Sequence, residues 1–249
     1  MLHGFGDTPQ SLRHLAHHLH ATGWTVSVPL LPGHGRSLQA FAESGATEWQ
    51  EAARAALADL RAQHYPVFLL GQSMGGALAT ILAAQSAELP GLVLLAPYFS
   101  MPRSLRWLAR SHPVLGMVAP WLVSHDPRSI LDADARAASL GYGALAPRLL
   151  NELRTVSRRA REAAPHVRAP VLTLYSGSDN RVAPEDVERT FATLASREKW
   201  LVKVDGAGHV LSVDFGHQRV ARLVEEWLAR RGAVRRPAPR IQAVEVLAE

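Results

Sequence analysis

The 249-residue sequence predicts an α/β fold, with a mostly parallel sheet flanked by helices. Three observations carry that expectation. Short strand patterns alternate with helical ones along the chain, and a glycine-rich turn joins one buried strand directly to a helix. Hydrophobic residues make up 47% and charged residues 20%, enough apolar surface for one sizeable core. The length favours one large domain over two small ones.

Thr8-Pro9 opens the first helix, whose Leu12, Leu15, Ala16 and Leu19 recur at helical spacing, with Gly23 as its stop. Residues 24–31 read as a strand, ended by Pro32-Gly33-His34-Gly35. Thr47-Glu48-Trp49-Gln50 reads as a capping box that starts a helix burying Trp49, Ala53, Leu57 and Leu60. A buried strand at 67–70, a helix from Ala77 to Gln85 and a strand at 92–96 follow. Between Pro97 and Arg168 no strand pattern is present, only short helical stretches divided by Pro102, Pro113, Pro120, Pro127, Pro147 and Pro165. Structureless loops of that length are rare in compact domains, so residues 98–168 are read as a helical lid inserted into the core. The rhythm resumes with a strand at 171–175, a helix after Pro184, a strand at 200–204 and a final amphipathic helix at 218–230. The core is thus expected at 1–97 and 169–231, and 232–249, with Pro237-Ala238-Pro239, reads as a disordered basic tail.

Composition removes several function classes. Cysteine is absent, which excludes disulfide frameworks, cysteine nucleophiles and cysteine-ligated metals. The longest apolar run, 113–123, is 11 residues, short of the about 20 a membrane helix needs, so no stable membrane insertion is expected. No basic and apolar leader follows Met1, and the default expectation is a soluble cytoplasmic protein. The net charge of +5 is concentrated in the tail, where five arginines from Arg230 onward face only Glu245 and Glu249. Without a binding motif that pattern does not predict a nucleic-acid partner.

The chemistry-bearing residues fall at strand ends. Gly71-Gln72-Ser73-Met74-Gly75 matches G-x-S-x-G between a buried strand and a helix. A serine hydroxyl is a poor nucleophile and needs presentation on a sharp turn beside a base. The flanking glycines relieve crowding, and the helix start aims amides at developing negative charge. Taken alone, the pentapeptide also fits a helix N-cap serine. Asp179 follows the strand after the lid, and His209, in Asp205-Gly206-Ala207-Gly208-His209, follows the next one. The order serine, acid, histidine is the one such a site requires. Asp205 and Asp214 are alternative acids, although Asp205 lies close to His209 in sequence. Near the N-terminus, His3-Gly4-Phe5-Gly6-Asp7 places the Phe5 amide, with that of Met74, as donors to an oxyanion.

Weaker signals are read as structural. His14 and His18 have the spacing of a zinc pair, but no H-E-x-x-H and no third ligand accompany them, so His14, His17, His18 and His20 read as a solvated helix face. His34 is read as serving its loop, and Arg158, Arg159 and Arg161 as a solvated face of a lid helix.

Together, HGFGDTP, PLLPGHG, GQSMGG, YSGSDNRVAP and GHVLSVD resemble the α/β-hydrolase superfamily, and within it bacterial monoacylglycerol lipases and small lidded carboxylesterases. The resemblance spans residues 3 to about 230. It implies a triad of Ser73, His209 and Asp179, an oxyanion hole at the Phe5 and Met74 amides, and a lid bounding an acyl pocket, with the apolar run 113–121 suited to an acyl chain, a lipid surface or simple packing on the core. The implied activity is hydrolysis of a small-molecule carboxylic ester without metal or organic cofactor. Thioester or amide hydrolysis, acyl transfer and a ligand-binding or inactive member of the fold are the alternatives. In this superfamily the HG segment follows a central strand. Only Met1 and Leu2 precede His3 here, so the resemblance implies N-terminal strands upstream of Met1 and a gap between 24–31 and 67–70.

Overall fold

The computed structural model describes residues 1–86, 88–111, 121–123 and 126–232. Four parallel strands form the sheet, in the order β1 (Leu69–Gln72), β2 (Leu92–Leu95), β5 (Val171–Ser176) and β6 (Lys199–Val204). One register row, Leu69–Leu92–Val171–Lys199, crosses all four, so their C-terminal ends open on the same edge. The inner strands LVLL and VLTLYS are buried along their whole length, as strands covered on both faces must be. The edge strand KWLVKV is only partly buried and carries Lys199 and Lys203, charges that discourage pairing with another chain.

Helices cover both faces. On one lie α3 (Ala46–Gln63), α4 (Met74–Ala84) and α7 (Pro147–Ala163), on the other α1 (Arg13–Ala21) and α9 (His217–Gly232), each side closing its own apolar cluster. α4 is buried from Met74 to Ala83, which its uniformly small and apolar sequence permits. α3 is amphipathic and buries Ala46, Trp49, Ala53 and Leu57, with the Trp49 indole donating to Pro32 O and Ser44 Oγ at 3.1 Å. α8 (Pro184–Thr193) flanks β5, and the short α2 (Leu38–Glu43) lies just before α3.

The chain between β2 and β5 carries α5 (Arg103–Arg110), α6 (Ala133–Ala137) and α7, with 3-10 turns at Pro127–Ser129 and Ala164–His166. It also contains a strand pair the sequence does not announce. β3 (Leu122–Val123) and β4 (Ala144–Leu145) form a two-residue antiparallel ladder, too short for periodicity to reveal. α7 is 17 residues long and packs on α4 and α5, bounded by Pro147 at its start and Pro165 just after its end. The apolar positions 113–120 and the tail from 233 lie outside the described residues. Gly232 itself closes α9 against Trp24, where a β-carbon would approach the indole to 2.7 Å.

Two local expectations are corrected. Residues 24–31 form no ladder strand. Val26 and Val28 pack on the core, but the segment is tied across by single bonds, from the Met1 amino group to Ser27 O and from Leu31 N to His3 Nε2 at 3.1 Å. Leu2 is what pairs with β1 on that side, through Leu2 N to Leu70 O (2.8 Å) and Gln72 N to Leu2 O (3.0 Å). Alternating apolar residues record packing, whereas a strand also needs a hydrogen-bonded neighbour. The cap of α3 is Gly45 rather than Thr47. Glu48 Oε2 accepts from Gly45 N at 3.1 Å, and Glu152 reaches over from α7 to accept from Ala46 N at 2.9 Å.

Candidate active site

β1 runs straight into α4 through Ser73, whose backbone sits at φ 54°, ψ −120°. A non-glycine residue there costs about 1–3 kcal/mol and persists only where its surroundings impose it. Here Ser73 N donates to Leu95 O, and Ser73 O accepts from the amides of Gly76, Ala77 and Tyr98. The flanking glycines make the turn possible. A β-carbon at Gly71 would lie 2.1 Å from Gly75 O, and one at Gly75 would lie 2.1 Å from Leu2 O. Both are needed for close backbone approach.

The next strand ends bring the other groups to this turn. Asp179 follows β5 and His209 follows β6, with His209 Nδ1 2.8 Å from Asp179 Oδ2 and Nε2 2.8 Å from Ser73 Oγ. Because a carboxylate only accepts, Nδ1 carries the proton and Nε2 is left to accept from the serine hydroxyl. Asp179 Oδ1 accepts from the amides of Arg181 (2.7 Å) and Val182 (2.9 Å). Burial alone pushes the Asp179 carboxyl up, but the charge and hydrogen bond of His209 and these amides outweigh it and hold it below its ordinary value. Ser73 and His209 are 9% and 7% exposed, and both line the cavity above.

That cavity, of about 310 Å³, is lined by Ser73 and His209 and at its apolar wall by Phe5, Phe41, Leu105, Leu145, Leu150 and Leu153. The size falls at the lower end of small-molecule sites. Phe5 lies in the loop after Leu2, beside the serine turn, since a β-carbon on neighbouring Gly4 would lie 3.4 Å from Ser73 Cβ. Met74 is the first residue of α4. Neither the Phe5 nor the Met74 amide has a hydrogen-bond acceptor among the described residues. Asp7 also lines the cavity; burial pushes its carboxyl up, against hydrogen bonds from Ser11 and the Thr8 amide and the nearby His209.

The structure places the alternative acids away from the imidazole. Asp205 is exposed. Asp214 is fully buried and accepts from four amides, those of Gly208 (2.7 Å), Leu131 (2.8 Å), Asp132 (2.9 Å) and Phe215 (2.8 Å). With Ser129 O, which accepts from His209 N (2.9 Å) and Val210 N (3.0 Å), it fastens the histidine loop to the inserted segment. This role was not readable from the sequence, since three separate stretches meet at one carboxylate; the only signal was the aspartate closing GHVLSVD. Asp214→Ala would strand the buried Gly208 donor and three partly buried ones, and an unfolding titration in urea should show a loss of about 2–4 kcal/mol. Asp214→Asn keeps one acceptor oxygen and should lose less. Equal stability of wild type and Asp214→Ala would remove this account of the loop.

The remaining polar residues sort simply. His3 and His34 are buried side by side, with His3 lowered to about 3 and His34 to about 4, chiefly by burial. His3 Nδ1 contacts Gly4 O while Nε2 accepts from Leu31 N, so it braces the loop carrying Phe5. His14 stacks on His217 at 4.7 Å, and among the described residues no group of three or more His, Asp or Glu side chains could hold a metal ion. Of the three arginines expected to be solvated, Arg158 pairs with Glu162, Arg159 reaches Gln50, and Arg161 donates to Phe99 O, which ties α7 to the loop after β2. No helix among the described residues is long and apolar enough to cross a membrane.

A parallel sheet with a strained strand–serine–helix turn, and an acid and a histidine at the next strand ends, defines the α/β-hydrolase fold. The chain belongs to the serine aminopeptidase S33 family, whose model matches residues 1–215. It is similar to the thermostable monoacylglycerol lipase of Bacillus sp. (strain H-257), 24% identical over 92% of this chain and 89% of that one. Among solved structures it resembles one from work on LipS and LipT, two metagenome-derived lipolytic enzymes, with TM-score 0.85 and 26% identity over 92% of this chain and 91% of that chain. The monoacylglycerol lipase of Paleococcus ferrophilus shares the fold, with TM-score 0.77 and 23% identity over 92% of this chain and 93% of that chain.

Proposed function

We propose that the protein is a serine hydrolase of small-molecule carboxylic esters. One observation carries this reading: the unbroken chain Ser73 Oγ–His209 Nε2 and His209 Nδ1–Asp179 Oδ2, both at 2.8 Å, beneath a cavity with an apolar wall. Ser73 Oγ attacks the acyl carbon as His209 Nε2 takes its proton, and Asp179 stabilises the imidazolium that forms. The amides of Phe5 and Met74 receive the oxyanion. His209 returns the proton to the departing alkoxide, and a water activated by the same imidazole releases the acid. No step requires a metal or organic cofactor. Residues 98–168 act as the lid over the acyl pocket, on the core formed by 1–97 and 169–231. The lipase and esterase activities named for its relatives support the ester as substrate.

The test is hydrolysis of p-nitrophenyl esters from C2 to C16, with a thioester of matched chain alongside. A pocket of about 310 Å³ favours short and medium chains, so kcat/KM should peak well below C16 and the ester should exceed the thioester. No turnover of any ester would reject the reading.

A further inference from the structure

The rim of the cavity carries charge that ester hydrolysis itself does not use. Arg13 and Arg136 both line it, and both are half-buried. Each guanidinium is steadied by backbone carbonyls, Arg13 by Gln10 O at 3.1 Å, Arg136 by Ile130 O at 2.8 Å and Leu131 O at 3.2 Å. Neither forms an ion pair with a carboxylate among the described residues. Gln10 Nε2 donates to Ala138 O at 2.6 Å, which joins the turn before Arg13 to the segment carrying Arg136 and sets both arginines on one rim. Two acids also face the cavity. Asp126 is taken up by Arg128 at 2.8 Å, and Asp7 accepts from the Thr8 amide at 2.8 Å, with neither acid in an ion pair with Arg13 or Arg136 among the described residues.

The rim lies on the side of the histidine. Ser212, in the histidine loop, donates to Ser11 O at 2.6 Å, beside Arg13. Leu131, whose carbonyl Arg136 holds, gives its amide to Asp214, which also holds Gly208. In an acyl transfer to serine the alcohol leaves toward the histidine, which hands it a proton. The acyl part then falls to the apolar wall, and the alcohol part to the rim.

We propose that Arg13 and Arg136 form a subsite for an anionic group, a carboxylate or a phosphate, carried on the alcohol portion of the ester. This rests on the ester-hydrolase reading. In the reaction the acyl C–O bond breaks, the alkoxide oxygen takes the proton from His209, and the anion stays unchanged on the departing alcohol. A guanidinium fixed at one edge by carbonyls keeps its remaining N–H groups preorganised for such an oxygen pair.

The experiment compares 4-carboxyphenyl butyrate with the neutral 4-carbamoylphenyl butyrate, and 1-butyrylglycerol 3-phosphate with 1-butyrylglycerol. In each pair kcat/KM should be at least about tenfold higher for the anion, mainly through KM, and the ratio should shrink as salt is raised. The more favoured pair identifies the anion as carboxylate or phosphate. Arg13→Gln and Arg136→Gln should each bring the ratio toward unity. Arg13 holds a single carbonyl, so its variant decides the matter if the Arg136 variant fails to fold. Neutral esters cleaved as well as their anionic partners would overturn the subsite and leave the ester reading intact. Should no ester be cleaved, the ester reading falls, and calorimetric titration of Ser73→Ala protein with the two phenyl butyrates still decides the subsite: equal affinity overturns it.

Discussion

Ser73→Ala should lose ester hydrolysis by about 10⁴- to 10⁶-fold in kcat/KM while keeping the fold. Among the described residues the side chain makes one hydrogen bond, to His209 Nε2, and the turn is held by the Ser73 backbone, through Leu95 O and the amides of Gly76, Ala77 and Tyr98. Alanine keeps every one of those backbone bonds. Thermal unfolding should therefore superimpose on wild type to within a few degrees, which separates lost chemistry from lost structure. Retention of more than a few per cent of activity would mean that another group, or bound water, performs the attack.

The second large effect is expected from Asp179→Asn, about 10⁴-fold in kcat. An asparagine amide beside His209 Nδ1 can donate where the carboxylate could only accept. The imidazole then carries its proton on Nε2, where it can no longer accept from Ser73. Geometry survives and the tautomer is wrong. The same residue makes a pH prediction. The folded carboxyl lies below its unfolded value of 3.8, so its contribution to stability is complete above that value and is lost as the pH falls through the folded one. The difference in melting temperature between wild type and Asp179→Asn should persist down to pH about 4 and disappear below it. A difference that vanished already near neutrality would contradict the carboxylate's assigned state.

The site was more legible in the sequence than the sheet that carries it. Gly71, Ser73 and Gly75 belong to one local turn, and the glycines exclude β-carbons from contacts near 2.1 Å, so their spacing reports the backbone directly. Asp179 and His209 could be placed because each closely follows a strand pattern, that of β5 and that of β6. Residues 24–31 misled for the opposite reason. Their alternating Trp24, Val26 and Val28 record burial, but a strand is made by its neighbour, and single bonds to Met1 and His3 stand there instead. The ladder of Leu122–Val123 with Ala144–Leu145 is shorter than any period. The structural role of Asp214 was hidden, because its four donors come from positions 131, 132, 208 and 215 and meet only after folding.

The most direct test of the nucleophile is covalent capture. The intact protein is treated with a fluorophosphonate, digested and mapped by mass spectrometry, with the Ser73→Ala protein in parallel. A serine activated by His209 predicts one stoichiometric adduct, on the peptide containing Ser73, and none in the variant. Wild-type protein that stays unlabelled, or is labelled at another residue, would contradict the account.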